Sequence, residues 1–368
     1  MTYLAFATLW QQKTRFALSV SGVALAIMLI LLLNAFLAGL YRQVTAYLDH
    51  VAADYVVAQE GVTNLLGARS LLAADTDDRA RSVPGVAQAI PIISQFVILD
   101  LHDKKVVGYL VGYDSTQGGG PWRLKEGRLP ADDDEVVLDG VMAQTHGLRL
   151  GSSIEILDET FTVVGIAAET NSWMAGFLFM ERRAAERVLR TAGAYSFVLV
   201  TLTPSADQPA VESRLRRRLR ELELLPTAIV KQNDRNLLIR VFALPLRLMV
   251  VIAFAVGTAI LGLVIYTATV ERQREYGVLK AVGARNLQLY ALVVQQGVAT
   301  ALLGAGLGAG LAWGVAQWIM AAKPKFLLVL SPEMVLEAML VAVVMGLLAA
   351  FLPLRAMADL DPAQVFRK

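Results

Sequence analysis

The chain has no cysteine in its 368 residues. No disulfide can brace it, so any exported part has to fold on its packed core alone. Charge is also scarce, at 18% Asp, Glu, Lys and Arg, against about 25% in a soluble globular chain. The formal net charge of +2 is close to neutral, so no basic surface points to a nucleic-acid partner. The three histidines, His50, His102 and His146, share no metal-ligand spacing. No G-x-x-x-x-G-K-[ST] sequence occurs, and without that phosphate cradle nothing places ATP on this chain. No nucleophile and base stand together in a recognisable pattern, so no catalytic residue is assigned.

Apolar residues are abundant: 56% of the chain is hydrophobic and the mean hydropathy is +0.53. The excess is concentrated in four stretches, residues 17–40, 241–270, 288–320 and 334–354. Each exceeds the ~20 apolar residues that cross a bilayer as a helix. The first is too long for a signal-peptide core and leads into no clear cleavage site, so it is expected to stay. The spans are read as nearly free of charge, with Arg247, near the start of the second, as the exception. Proton or ion coupling would call for intramembrane carboxylates or histidine. The reading therefore favours an apolar or amphiphilic substrate.

Basic residues set an expected orientation. Lys13 and Arg15 precede the first span, Arg272, Arg274, Lys280 and Arg285 fill the loop at 271–287, and Arg355, Arg367 and Lys368 follow the fourth. Short basic loops stay in the cytoplasm. Both termini are thus expected inside, with residues 41–240 outside; Lys323 and Lys325 in the short outer loop 321–333 run against this tally. Residues 1–16 read as an interfacial helix with Trp10 at the headgroup level, and 355–368 as a cytoplasmic tail.

The segment 41–240 alternates in the manner of an α+β domain. Strands are expected at Val56 and Val57, over 95–100 paired with 106–111, and over 135–138, 153–157 and 161–166. Helices are expected over 182–190 and 207–222, and residues 174–179 read as an exposed apolar loop. Asp132 to Glu135 could ligate a metal by charge alone, but their place between Pro130 and a strand reads as a solvated turn; no metal site is assigned. The third span carries Gly297, Gly304, Gly306, Gly308, Gly310 and Gly314, spaced for close helix approach and read mainly as packing within one bundle.

Between the second and third spans lies the sequence Glu271-Arg-Gln-Arg-Glu-Tyr-Gly-Val-Leu-Lys-Ala-Val-Gly-Ala284. Glu271, Arg274 and Glu275 are spaced to share a helix face that could dock on a charged groove, and Gly283 is suited to end the helix with a left-handed residue. Through Glu271, Arg272, Arg274, Glu275, Gly277, Leu279, Lys280, Gly283 and Ala284 the segment resembles the signature of the FtsX/MacB-type ABC transporter permeases, with Tyr276 where that family usually has isoleucine. Gly112-Tyr-Asp, Pro121-Trp122, Glu126-Gly-Arg128, Glu135 to Asp139 and Thr162 to Ile166 occur in the order seen in MacB-like extracytoplasmic domains, above all in the DevC-like and HrtB-like (haem exporter) branch.

The resemblance implies a four-helix membrane protein with a large α+β domain between the first two helices, acting as the permease of an ATP-driven, mechanotransmitting (type VII) exporter in the bacterial cytoplasmic membrane. Glu271, Arg272, Arg274, Glu275, Gly277, Lys280 and Gly283 would couple it to a dimer of separate ATPase subunits carrying ATP and magnesium. A second copy of the chain is an expected partner, and a periplasmic adaptor a further one. Met28, Asn34, Tyr41 and Glu60 are the substrate candidates, with haem or a lipid as the substrate. The alternative is an FtsX-like transducer that activates an outside partner without transport.

Overall fold

The computed structural model describes residues 13–101, 104–172 and 175–358. Residues 1–12 of the interfacial helix expected over 1–16, His102, and the end of the tail with Arg367 and Lys368 lie outside the described residues; residues 13–16 instead open the first long helix. In chain order the elements are α1 (Lys13–His50), β1 (Tyr55–Gln59), β2 (Leu72–Ala73), α2 (Thr76–Arg81), β3 (Val86–Leu101), β4 (Lys104–Tyr113), β5 (Leu124–Gly127), β6 (Glu135–Asp139), α3 (Gly140–His146), β7 (Ser153–Ile156), β8 (Glu159–Ala167) and β9 (Gly176–Glu181). Then follow α4 (Arg182–Leu189), β10 (Ala194–Tyr195), β11 (Phe197–Leu202), α5 (Gln208–Arg218), β12 (Leu222–Pro226) and α6 (Thr227–Leu238). A π-helical turn (Ile239–Ala243) leads to α7 (Leu244–Glu271), α8 (Gln273–Ala281), α9 (Asn286–Ala322), α10 (Pro332–Ala349) and α11 (Phe351–Ala358). Two compact units result: Met1–Gly39 with Phe242–Lys368, and Leu40–Val241.

The second unit is an α+β domain on a mixed sheet of order β12-β1-β11-β3-β4-β9-β6-β8-β5, with β7 beside β3 and β8. The sixteen-residue β3 joins its halves: its first part pairs with β11 and its second with β4. Side chains of a strand alternate between faces, and here both faces are covered. Val57, Leu110, Val136, Leu138, Leu178 and Met180 enter one core, while Val56, Tyr109, Val111, Val137, Phe177 and Phe179 enter the other. This explains a correction. The apolar run at 174–179, expected as an exposed loop, contributes β9, an inner strand whose Phe177, Leu178, Phe179 and Met180 are buried. A strand covered on both faces shows no polar alternation, so its periodicity is silent. The helix expected over 207–222 stops at Arg218, and Leu222 opens β12, which pairs with β1. The expected hairpin of β3 and β4 forms, as do strands at Val56, Glu135, Ser153 and Phe161 and the helix at Arg182.

The first unit holds four helices long and apolar enough to cross a membrane, within Lys13–His50, Thr227–Glu271, Asn286–Ala322 and Pro332–Arg355. Apolar burial drives no association between helices already in lipid, so packing depends on close backbone approach. A Cβ on Gly304 would meet Val23 at 2.7 Å, and one on Gly308 would meet the Ala24 carbonyl at 2.6 Å, both on α1. Gly297 of α9 and Gly346 of α10 face each other, each Cβ falling within 3 Å of the other's carbonyl oxygen. The glycines of the third span do not all serve this purpose: Gly306, Gly310 and Gly314 have nothing within 4 Å of a built Cβ. The link after α9 straps α1. Val329 N–H donates to the Ala35 carbonyl at 3.0 Å, and Phe326 lies 5.9 Å from Phe36.

Candidate functional site

The charged segment is built as a bracket. α7 closes at Glu271, Arg272 leaves helical geometry at φ −97° and ψ 16°, and α8 starts at Gln273. Gly283 ends the turn with φ +103°, a conformation that side chains rarely adopt. The next helix begins three residues on, at Asn286, capped by Arg285, whose N–H donates to the Gln288 side chain at 3.0 Å. α8 is anchored by Tyr276, which is buried and lines a small cavity of about 60 Å³ with Arg15, Phe16, Thr269, Arg272 and Gln296.

The shared face expected for Glu271, Arg274 and Glu275 does not form. Glu271 belongs to the end of α7 and pairs with Arg15 of α1. The exposed face of α8 is made instead by Arg274, Glu275, Val278 and, just beyond, Val282, which sit within about 100° of helical arc. Val282 is 84% exposed and Val278 47%. Two apolar side chains between an arginine and a glutamate make a face suited to a protein partner more than to bare water. Glu275 also lies 3.9 Å from Arg272. Gly277 is buried and Lys280 half-buried, so neither stands on that face. Val278 and Val282 are what motif reasoning missed; their i, i+4 spacing beside Arg274 was the available signal.

The substrate candidates divide between the units. Met28 is half-buried against the core of the helix bundle. Asn34, on another side of α1, opens into a groove of about 400 Å³ between α1, α7 and α10. Tyr41 is half-buried in the last part of α1, and Glu60 is exposed in the turn after β1, both in the α+β unit. The groove also holds Glu337 of α10. Arg247 is therefore not the sole charge in the spans: Glu337 lies inside the fourth apolar run and was overlooked. An ionisable side chain within such a run is itself the signal that finds it.

In the α+β domain, Glu135 is fully engaged. Both its oxygens take guanidinium hydrogen bonds from Arg128, and it accepts from the Ala131 N–H at 2.8 Å and the Asp132 N–H at 3.3 Å. The Arg128 contact, with these backbone donors, outweighs burial and holds its carboxyl down at about 2. It closes the Asp132 turn as a structural clamp. Nearby, Tyr47 donates to the Gly119 carbonyl at 2.8 Å, and Trp122 packs among Tyr47, His50, Phe177 and Phe179. The Pro121-Trp122 pair of the sequence motif is thus a core element.

Comparison with known proteins agrees with this architecture. The family description MacB-like periplasmic core domain matches residues 16–218, and FtsX-like permease C-terminal matches residues 247–362. The chain belongs to the MacB/FtsX-type family of ABC transporter permeases. It is a multi-pass protein of the inner membrane, with a large α+β domain of periplasmic type between its first two spans. An uncharacterized ABC transporter permease of Mycobacterium tuberculosis is 23% identical over 369 residues, covering 100% of this chain and 99% of the relative. A second from that organism is 25% identical over 376 residues, with the same coverage. The macrolide export ATP-binding/permease protein MacB of Shewanella oneidensis is 22% identical over 409 residues, which is 100% of this chain and 60% of that longer protein. Among solved structures, the periplasmic region of MacB from Actinobacillus actinomycetemcomitans aligns with a TM-score of 0.40 and 16% identity over 51% of this chain and 96% of that one.

Proposed function

We propose that the chain is the permease subunit of an ATP-driven exporter that moves an amphiphilic substrate, such as haem or a lipid, out of the membrane. Two copies would assemble with a dimer of separate ATPase subunits, which supply ATP and magnesium, and an adaptor outside the membrane is a further partner to test. Both termini and α8 would face the cytoplasm, with the α+β domain outside, as the basic residues around the spans suggest. The observation that carries this reading is the exposed face of α8, with Arg274, Glu275, Val278 and Val282 presented between two long spans. Closure of the ATPase pair would push on this face. Tyr276, buried beneath it, would pass the push to α1, α7 and α9.

The test is co-expression with the ATPase and measurement of ATPase activity in the complex. Val278→Asp with Glu275→Lys is expected to break the association and to lower stimulated ATPase activity at least tenfold, while the permease stays monodisperse. A double variant that still binds and stimulates the ATPase would overturn the assignment. Haem is tested at the two candidates separately: a saturable Soret shift lost in Met28→Ala would select a thioether ligand to iron, and one lost in Glu60→Ala would select that carboxylate instead. An FtsX-like signalling role would show instead as normal coupling to the ATPase with no substrate moved.

A further inference from the structure

Glu337 stands five residues past the start of α10, about 8 Å along the helix axis. It lies inside the candidate span Pro332–Arg355 and is exposed. It makes no hydrogen bond or ion pair with any described residue. A carboxylate in such a place costs about 2.5–3.5 kcal/mol at mid-membrane, less near the interface, and residues of this kind line cavities or pair with a cation. Here there is a cavity. The groove of about 400 Å³ has Asn34 and Glu337 as its polar lining residues and walls that include Leu31, Val251, Phe254 and Val341. Its volume falls in the range of small-molecule sites. The amide of Asn34, half-buried, also has no partner among the described residues. Arg247, in the second apolar run, is exposed four residues before Val251 and is not part of the groove lining.

We propose that this groove binds a cationic amphiphile, a long-chain ammonium compound. Glu337 serves as counter-ion to the head, the Asn34 carbonyl oxygen accepts an ammonium N–H, and the alkyl chain lies along Val251, Phe254 and Val341. An ammonium loses its water on leaving the interface, and these two side chains replace it, as polar groups in an apolar pocket do. A carboxylate there repels anionic head groups and offers a neutral alcohol much less. The site deepens the reading of the chain as a permease for amphiphiles, on which its role as a substrate site rests.

The experiment uses the full chain in phosphatidylcholine nanodiscs, with radiolabelled dodecylamine at pH 7 and empty discs subtracted. Saturable binding is expected, with one site per chain. Glu337→Gln should weaken it at least tenfold, Asn34→Ala by a smaller factor, and Glu337→Asp should retain most of it. Val341→Trp, which fills the wall and spares the carboxylate, should abolish it. Glu333→Gln, outside the groove, and Arg247→Gln should not weaken it. Dodecyl sulfate and dodecanol should not compete. Should Glu337→Gln yield no folded protein by size-exclusion chromatography, the Val341→Trp and Asn34→Ala variants decide. Amine binding unchanged by Glu337→Gln or Val341→Trp, or displaced equally by dodecanol, overturns the site. Because no ATPase is present, that result leaves the coupling role of α8 standing. Retained coupling in the α8 variants, which overturns the α8 assignment, would in turn leave the amine site standing.

Discussion

Glycine serves different ends in the two units. In the helix bundle, Gly297, Gly304, Gly308 and Gly346 keep ordinary helical backbone and are small because another helix touches them. In the α+β domain, Gly127 is needed for its backbone as well: φ is +82°, and a Cβ would lie 2.2 Å from the Val164 carbonyl oxygen. Among the described glycines with positive φ, Gly283 alone lies in the helix bundle, and there it ends the charged segment. The difference follows from the surroundings. Helices in lipid gain by approach of their surfaces. A sheet domain in water hides its apolar side chains on its own and needs glycine where strands turn or bulge.

The comparison can be broken at several points. Gly308→Leu should have the largest effect, since the side chain would overlap the Ala24 backbone, which cannot step aside. No monodisperse folded protein is expected on size-exclusion chromatography. Gly127→Leu comes next: the positive φ alone costs about 1–3 kcal/mol, and the contact with Val164 adds to it. The thermal transition of the α+β domain should fall by many degrees while the helix bundle keeps its helical signal in far-ultraviolet circular dichroism.

Acid sharpens the contrast further. Glu135 is held at about 2, below its ordinary 4.5. Its folded-state value is depressed, so the stability it contributes is present above about pH 4.5 and is lost as pH falls toward about 2. The melting temperature of the α+β domain should drop through this window, and Glu135→Gln should flatten that drop while lowering the melting temperature by a few degrees at pH 7. The smallest effect is expected of Gly310→Leu, which meets nothing within 4 Å in a single chain. Its melting curve should match the parent; a large loss would show that the open glycine face carries packing within the bundle after all.

How much could be read without coordinates varies by region. The four spans were legible because lipid demands a long apolar run. The hairpin of β3 and β4 was legible because its strands are punctuated by a polar turn. β9 was not, because burial on both faces erases the alternation that marks a strand. Glu271 was misplaced for another reason: its spacing to Arg274 assumed one unbroken helix, whereas the break at Arg272 turns it toward Arg15.

By itself the sequence determined the class of the protein: the spans, the inserted α+β domain and the charged segment with its glycine stop. Each depends on composition or on residues close in the chain, where local physics suffices. Tertiary structure decided which face of α8 is presented, which glycines touch a neighbouring helix, and that Asn34 and Glu337, some three hundred positions apart, line one groove. Those depend on how helices pack, and packing is a property of surfaces meeting in space, to which spacing along the chain gives no guide.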